Sequence, residues 1–422
     1  MKRRTFIKGT VTAGAASLLP MCAGAQLFQG CSTSRPAMSW DFDEVIDRGG
    51  TWSIKYGRAG EGRFAMWIAD MDFRTDPAVR QALQERLDRD VMGYTFTPEE
   101  FFEAIRAWEG RQHGWDIPRE WVGYAPGVIT AINQAYLAFT QPGDKIIVQP
   151  PVYDHFRLYA ERLGRKVVDN PMLFENGRYK MDFEGLESLF DEKTRMLVLC
   201  NPHNPCGILW DRAALVKLAE ICEKHGVIVV SDEIHADLAL FGKSHIPFCS
   251  VSDAAARVGL VFGGPTKAFN LAGISGTAFC VIPDREKRER YLGGLKAAKL
   301  YEPSIPTIVS LIAAYRSESG WLPALKEYLQ DNIAYVMSFF SDNRLGITPI
   351  RPEASFLVWM DCRALGLPQD GLMTLFREKA GVFLSDGTAY GTGGEGFVRL
   401  NVGCPRSVLK EALLHIRTAL GE

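Results

Sequence analysis

Val258-Gly259-Leu260-Val261-Phe262-Gly263-Gly264-Pro265-Thr266-Lys267 is the stretch on which the reading of this chain turns. The apolar run Val258 to Phe262 has the length of a short buried strand, and Gly263, Gly264 and Pro265 stop it. The stop presents one lysine at the strand's carboxyl end, followed by the largely apolar Ala268-Phe269-Asn270-Leu271-Ala272-Gly273. An ammonium between a core strand and an apolar segment costs free energy unless it is paired or its pKa falls. A desolvated lysine is also how proteins make an amine that forms Schiff bases. Alone, a strand-end lysine reaching solvent is the commoner case, so the weight rests on what the other strands deliver.

They deliver polar residues in the same way. The run Val227 to Val230 leads to Ser231-Asp232-Glu233-Ile234-His235. Met196 to Cys200 ends in Asn201-Pro202-His203-Asn204-Pro205-Cys206-Gly207, and Lys145 to Val148 ends at Pro150-Pro151 before Val152-Tyr153-Asp154-His155-Phe156. Helices intervene: Asp76-Pro77 opens one through Leu87, another runs from about Glu99 to His113, and Asp211 caps one that runs to His225 and stops at Gly226. In Gly123-Tyr124-Ala125-Pro126-Gly127-Val128 a turn feeds into a helix, so the amides of Gly127 and Val128 can hold a phosphate, although most such turns are only turns. Trp67-Ile68-Ala69-Asp70-Met71-Asp72-Phe73 fits neither helix nor strand periodicity, which suggests a segment folded over a site.

Strands alternating with helices, with polar residues at strand carboxyl ends, predict an α/β fold with a doubly wound, mostly parallel sheet whose ligand site lies at those ends. From about Arg285 a helical connection leads to Trp321 and Asn332. Beyond it Gly346 to Ile350, Ser355 to Asp361, Phe397 to Val402 and a helix Ser407 to Leu420 read as a small α+β domain. The expected division is a leader at 1–31, an N-terminal segment at 32–84 contributing to the small domain, a large domain at 85–325 and the small domain at 326–422.

The 422 residues, 47% hydrophobic and 23% charged with a formal net charge of -2, are ordinary for a globular chain. They show no basic excess for nucleic acid, and no apolar run reaches the roughly 18 residues of a membrane span. The nine cysteines lack paired metal spacing, so no metal site is expected, and Cys200, Cys222 and Cys280 read as small core residues. Lys2-Arg3-Arg4-Thr5-Phe6-Ile7-Lys8, a weakly apolar stretch to Met21 and Ala23-Gly24-Ala25 resemble a twin-arginine (Tat) export signal, which implies a periplasmic protein. Lipid attachment at Cys31 is an alternative end to that leader, with Phe28 and Gln29 a poor match for it.

Together the strand ends supply an amine (Lys267), a carboxylate (Asp232), an aromatic ring (Tyr153), an amide (Asn204) and a phosphate cradle (Gly127). That is the inventory pyridoxal phosphate needs, and Arg399 in a late strand can clamp an α-carboxylate. From Trp67 to the C-terminus the chain resembles the fold-type I pyridoxal phosphate enzymes of the class I/II aminotransferase superfamily, and within them the MalY/PatB group of cystathionine β-lyases. The stretches Trp67 to Phe73, Gly93-Tyr94-Thr95, Pro126 to Val128, Pro150 to Tyr153, Asn201 to Gly207, Ser231 to His235, His245 to Phe248, Thr266 to Gly273 and Arg399 to Pro405 carry the resemblance.

The resemblance implies that Lys267 binds the cofactor and later moves the substrate's Cα proton, and that Asp232 pairs with the ring nitrogen. Asn204 with His235 would contact the phenolic oxygen and Tyr153 would stack on the ring. Gly127, Val128 and Thr266 would hold the phosphate, joined by Tyr94 from the other subunit of a homodimer, where Tyr94 also assists the chemistry. Arg399 would bind the carboxylate of an amino-acid substrate. Two departures stand out. Gly264 replaces a serine that grips phosphate in many relatives, implying a weaker hold. Ser275 replaces an arginine found in most aminotransferases, which favours a C-S β-lyase over the alternatives of an aminotransferase or a catalytically silent cofactor-binding or regulatory protein.

Overall fold

In a computed structural model that describes residues 40–421, the four expected strands join three that the sequence did not show, Val122–Ala125, Lys166–Asp169 and Ala278–Val281, in a seven-stranded sheet. The leader, Cys22, Cys31 and their expected roles lie outside the described residues. The strand order is Val122–Ala125, Ala278–Val281, Gly259–Gly263, Ile228–Asp232, Thr194–Cys200, Lys145–Val148 and Lys166–Asp169. Pairing is parallel throughout the last five, with Val230 opposite Leu260 and Leu197 opposite Val229. Only Ala278–Val281 runs antiparallel to both its neighbours.

Side chains alternate across this sheet with period two, and both faces are covered. Met196, Val198 and Cys200, with Ile146, Val148, Val230, Leu260 and Phe262, pack on the side of the helix Val128–Phe139. Leu197, Leu199, Val229 and Val261 face the other way, into the main core with Leu215, Leu218 and Cys222 of the helix Arg212–Lys224. Both faces are apolar, which is why these strands read as unbroken hydrophobic runs. Polar side chains can appear only where the strands end, and the parallel register puts those ends on one edge.

Helix caps fall where the sequence placed them. Asp76 accepts from the amide of Ala78 at the start of Pro77–Leu87, and Asp211 accepts from Ala214 at the start of Arg212–Lys224. The strand before Lys267 is Gly259–Gly263 rather than one starting at Val258, because Val258 closes a short helix, Asp253–Val258, capped by Ser252. The strand before Asp232 likewise extends to Ile228–Asp232, so Ser231 and Asp232 are its last residues.

A second sheet of four strands, in the order Thr348–Ile350, Leu357–Asp361, Phe397–Asn401 and Ser385–Asp386, holds Arg399 opposite Trp359 and Ser385. The N-terminal segment adds Phe64–Ala65 in parallel to Val382–Phe383. The seven described cysteines are all free and buried, and no helix among the described residues is long and apolar enough to cross a membrane.

Candidate active site

The carboxyl ends of the parallel strands bring Lys267, Asp232, His235 and Asn204 to the same edge as Arg399. Their geometry is organised by the Trp67 to Phe73 segment. Lys267 Nζ donates to the carbonyl of Ala69 at 2.7 Å, and Arg399 Nη2 donates to that of Trp67 at 2.5 Å. Ser385 Oγ reaches the Trp67 carbonyl at 2.8 Å, Asn401 Nδ2 takes the carbonyls of Ile68 and Asp70 at 2.7 Å each, and Asn270 Nδ2 takes those of Met71 and Phe73 at 2.9 Å each. Side chains, not a ladder, satisfy this backbone, which is why it shows no periodicity. On its far side Asp72 pairs with Lys55 at 2.7 Å and Arg48 at 2.8 Å.

Lys267 is only partly buried, yet its amine is crowded closely enough that desolvation lowers its pKa to about 8. The Arg399 guanidinium pushes the same way, against Asp70 and Asp232. Asp232 is buried, and burial raises its carboxyl to about 7; the amide of Ile234, donating at 3.1 Å, and the Lys267 charge pull it back. Burial, reinforced by Lys267 and Arg399, keeps the buried His235 imidazole well below its ordinary pKa and therefore neutral, and its Nδ1 has no partner. Arg399 Nη1 donates to Asn204 Oδ1 at 2.8 Å, and its guanidinium lies 5.2 Å from the Tyr390 ring centroid. Tyr153 is half-buried, with one face stacked on His155 at 4.7 Å, and its amide donates to the carbonyl of Asn204. Gly127, at φ +90°, sets the entry into the helix Val128–Phe139, and few side chains would tolerate that backbone. Thr266 Oγ1 donates to the carbonyl of Thr277 at 2.9 Å.

These donors fit the cofactor that the sequence resemblance implies. The buried Asp232 carboxylate has one amide donor among the described residues and is suited to a cationic ring nitrogen. The orphaned Nδ1 of His235 lies within the same buried set. The Gly127 amide, expected to hold a phosphate, instead donates to the Ala125 carbonyl at 2.9 Å, which leaves the Val128 amide at the helix N-terminus for that role. Tyr94 is not brought in: it is fully exposed on the loop 91–96. Sequence reasoning missed Asn401, Asn270, Ser385 and Tyr390; the tightly spaced Arg399-Leu400-Asn401 was the available signal. The departure at Gly264 has a steric reason. A Cβ there would lie 2.5 Å from the Thr277 carbonyl oxygen and 2.9 Å from the Ala278 Cα, because the antiparallel strand crosses closely at that point.

The sequence pattern of the family described as "Aminotransferase class I and II" matches residues 67–416. The chain is 42% identical to cystathionine β-lyase PatB of Bacillus subtilis over 90% of this chain and 100% of that protein. It is 33% identical to the protein MalY of Escherichia coli over 90% and 99% respectively. Its fold superimposes with a TM-score of 0.88 on cystalysin from Treponema denticola, a crystal structure containing pyridoxal 5'-phosphate, at 32% identity over 91% and 99% of the two chains.

The crowding at Gly264 predicts that Gly264→Ser destabilises the protein by about 1–3 kcal/mol, read as a lower urea midpoint, with no gain in affinity for added pyridoxal phosphate. Tighter cofactor binding at undiminished stability would show that the glycine is a missing phosphate ligand instead.

Proposed function

The chain belongs to the class I and II aminotransferase family, and we propose that it is a carbon–sulfur β-lyase of that family, dependent on pyridoxal phosphate. It cleaves a cysteine-type amino acid to a thiol, pyruvate and ammonia. The observation that carries the reading is the near-full-length similarity to a cystathionine β-lyase. The residues of the site are consistent with it. Arg399 is the carboxylate clamp, and Ser275, whose carbonyl accepts from Thr307 Oγ1 at 2.7 Å, stands where an arginine would favour transamination.

Bound pyridoxal phosphate draws electrons from the substrate's Cα, which acidifies the proton there and lets a thiolate leave from Cβ. Lys267, with its amine depressed to about 8, is unprotonated in a useful fraction near neutrality and takes that proton. Arg399, already steadied by Asn204, the Trp67 carbonyl and the Tyr390 ring, fixes the carboxylate through two parallel hydrogen bonds. Asp232 would hold a negative charge opposite a protonated ring nitrogen, while the neutral His235 and the amide of Asn204 would face the phenolic oxygen. Tyr153 would stack on the ring, and the amide of Val128, with Thr266, would hold the phosphate at the turn made by Gly127. The thiolate leaves with the C–S electron pair and is protonated, and one water hydrolyses the remaining three-carbon fragment to pyruvate and ammonia.

The proposal includes a homodimer. Leu87, Val91, Met92, Tyr94 and Phe96 form an exposed apolar run of the kind that covers a partner, and Tyr94 in the second copy supplies the group this chain's own site lacks. It also includes Tat export to the periplasm, supported by the order Arg3-Arg4, apolar stretch, Ala23-Gly24-Ala25, with lipid attachment at Cys31 as a variant. An Arg3→Lys, Arg4→Lys double variant is expected to stay in the cytoplasm; unaltered export would remove that part of the reading.

With L-cystathionine or another S-substituted cysteine and no keto acid, the enzyme is expected to release stoichiometric pyruvate and thiol. Mixing Tyr94→Phe chains with Lys267→Ala chains should restore one working site per mixed dimer. Turnover that begins only when a keto acid is added would make the protein an aminotransferase, and an active monomer would overturn the shared site.

A further inference from the structure

Immediately behind Asp232 lies a group of buried ionisable side chains that the proposed reaction does not use. Glu233 is 4% exposed and His245 3%. The Glu233 carboxylate receives four donors from three segments. Oε1 accepts from Ser231 Oγ at 2.7 Å, from the Phe248 amide at 2.8 Å and, more weakly, from Asn201 Nδ2 at 3.5 Å, while Oε2 faces His245 Nε2 at 2.7 Å. The backbone at the same point runs into the rest of the site. Glu233 N donates to Phe262 O, in the strand leading to Lys267, and Asn201 N donates to Asp232 O. The second hydrogen bond of Asn201 Nδ2, to Ile246 O at 3.0 Å, ties the loop that carries Asn204 to the segment that carries His245.

The His245 ring makes no other polar bond: Nδ1 is buried without a partner. A histidine held in the core by one bond is expensive unless that bond is strong, and a short bond to a buried carboxylate is. Against its edge lies His113, with ring centroids 5.2 Å apart at 84°. His113 bonds Asp237 Oδ1 at 3.0 Å, and Trp108 Nε1 donates to the same oxygen at 2.8 Å. Burial opposes a charge on His113, but Asp237, Glu109 and Glu233 outweigh it and hold its pKa up at about 9. Glu109, on the same helix, is pushed up to about 8 by burial. The partly buried Lys326 feels Asp237 as well.

We propose that Glu233, braced by His245, is the positioning residue of this centre. One carboxylate fixes the end of the strand carrying Asp232 relative to the loop carrying Asn204, and so sets the distance between the group facing the ring nitrogen and the group facing the phenolic oxygen. His113 and Asp237 support His245 from behind and are not part of the tie.

Three variants separate positioning from simple stability. Glu233→Gln keeps an oxygen for Ser231 and Phe248 but loses the charge opposite His245. His245→Leu keeps volume and loses the bond. His245→Gln returns an N–H near the place of Nε2. In the holoenzyme, Glu233→Gln and His245→Leu are expected to release cofactor on dialysis about tenfold faster, to alter the absorbance spectrum of bound cofactor, and to lower kcat about tenfold with KM changed less than about threefold. His245→Gln should recover most of each effect. Wild-type retention and spectrum in Glu233→Gln, with only a lower melting temperature, would reduce the dyad to a structural role. Failure of His245→Gln to improve on His245→Leu would overturn the tie as well. Should His245→Leu not accumulate as folded protein, the other two variants decide. The inference rests on the lyase reading only for kcat; retention and spectrum test it even if the substrate class proves different.

Discussion

The Lys267 amine sits where desolvation disfavours its charge, and among the described residues no carboxylate bonds it directly. What holds it is the 2.7 Å bond to the carbonyl of Ala69, and the rest of the site is arranged to make that carbonyl available. A backbone carbonyl suits an amine that must stay unprotonated part of the time, since without a full negative charge it raises the pKa less than a carboxylate would. To present it, the Trp67 to Phe73 segment gives up any ladder and is pinned instead by Arg399, Asn401, Asn270 and Ser385. Such bonds contribute about 1 kcal/mol each, so the segment depends on their number. Arg399 thereby helps close the segment over Lys267, beside its proposed role toward a carboxylate.

The same economy explains the charges. Lys267 and Asp232 are both shifted toward their neutral forms, chiefly by burial, which suits an amine that must be free to react and a carboxyl that awaits a cationic partner. Glu233, next in sequence, is surrounded differently. Its carboxylate is buried too, but four donors satisfy it, so one acidic residue is left reactive and its neighbour is fixed.

Most of this was legible in sequence because the large sheet is covered on both faces. Unbroken apolar runs such as Met196 to Cys200 and Val227 to Val230 force polar residues to their ends, and the capping residues Asp76 and Asp211 mark helix starts. The odd composition of Trp67 to Phe73 also gave it away, since a segment bonded by distant side chains carries no period of its own. What the sequence did not show depends on long-range approach. The antiparallel course of Ala278–Val281 looks locally like any core strand, and its contact with Gly264 turns what reads as a lost phosphate ligand into a packing requirement. The Glu233 to His245 bond spans twelve positions of loop.

The account stands on Lys267 as the reactive amine. The direct measurement is to reduce the holoenzyme with borohydride, digest it and locate the retained cofactor by peptide mass spectrometry. The account predicts one modified peptide, with the added mass on Lys267, and none in Lys267→Ala. Modification at a different lysine, or cofactor retained covalently by Lys267→Ala, would contradict it.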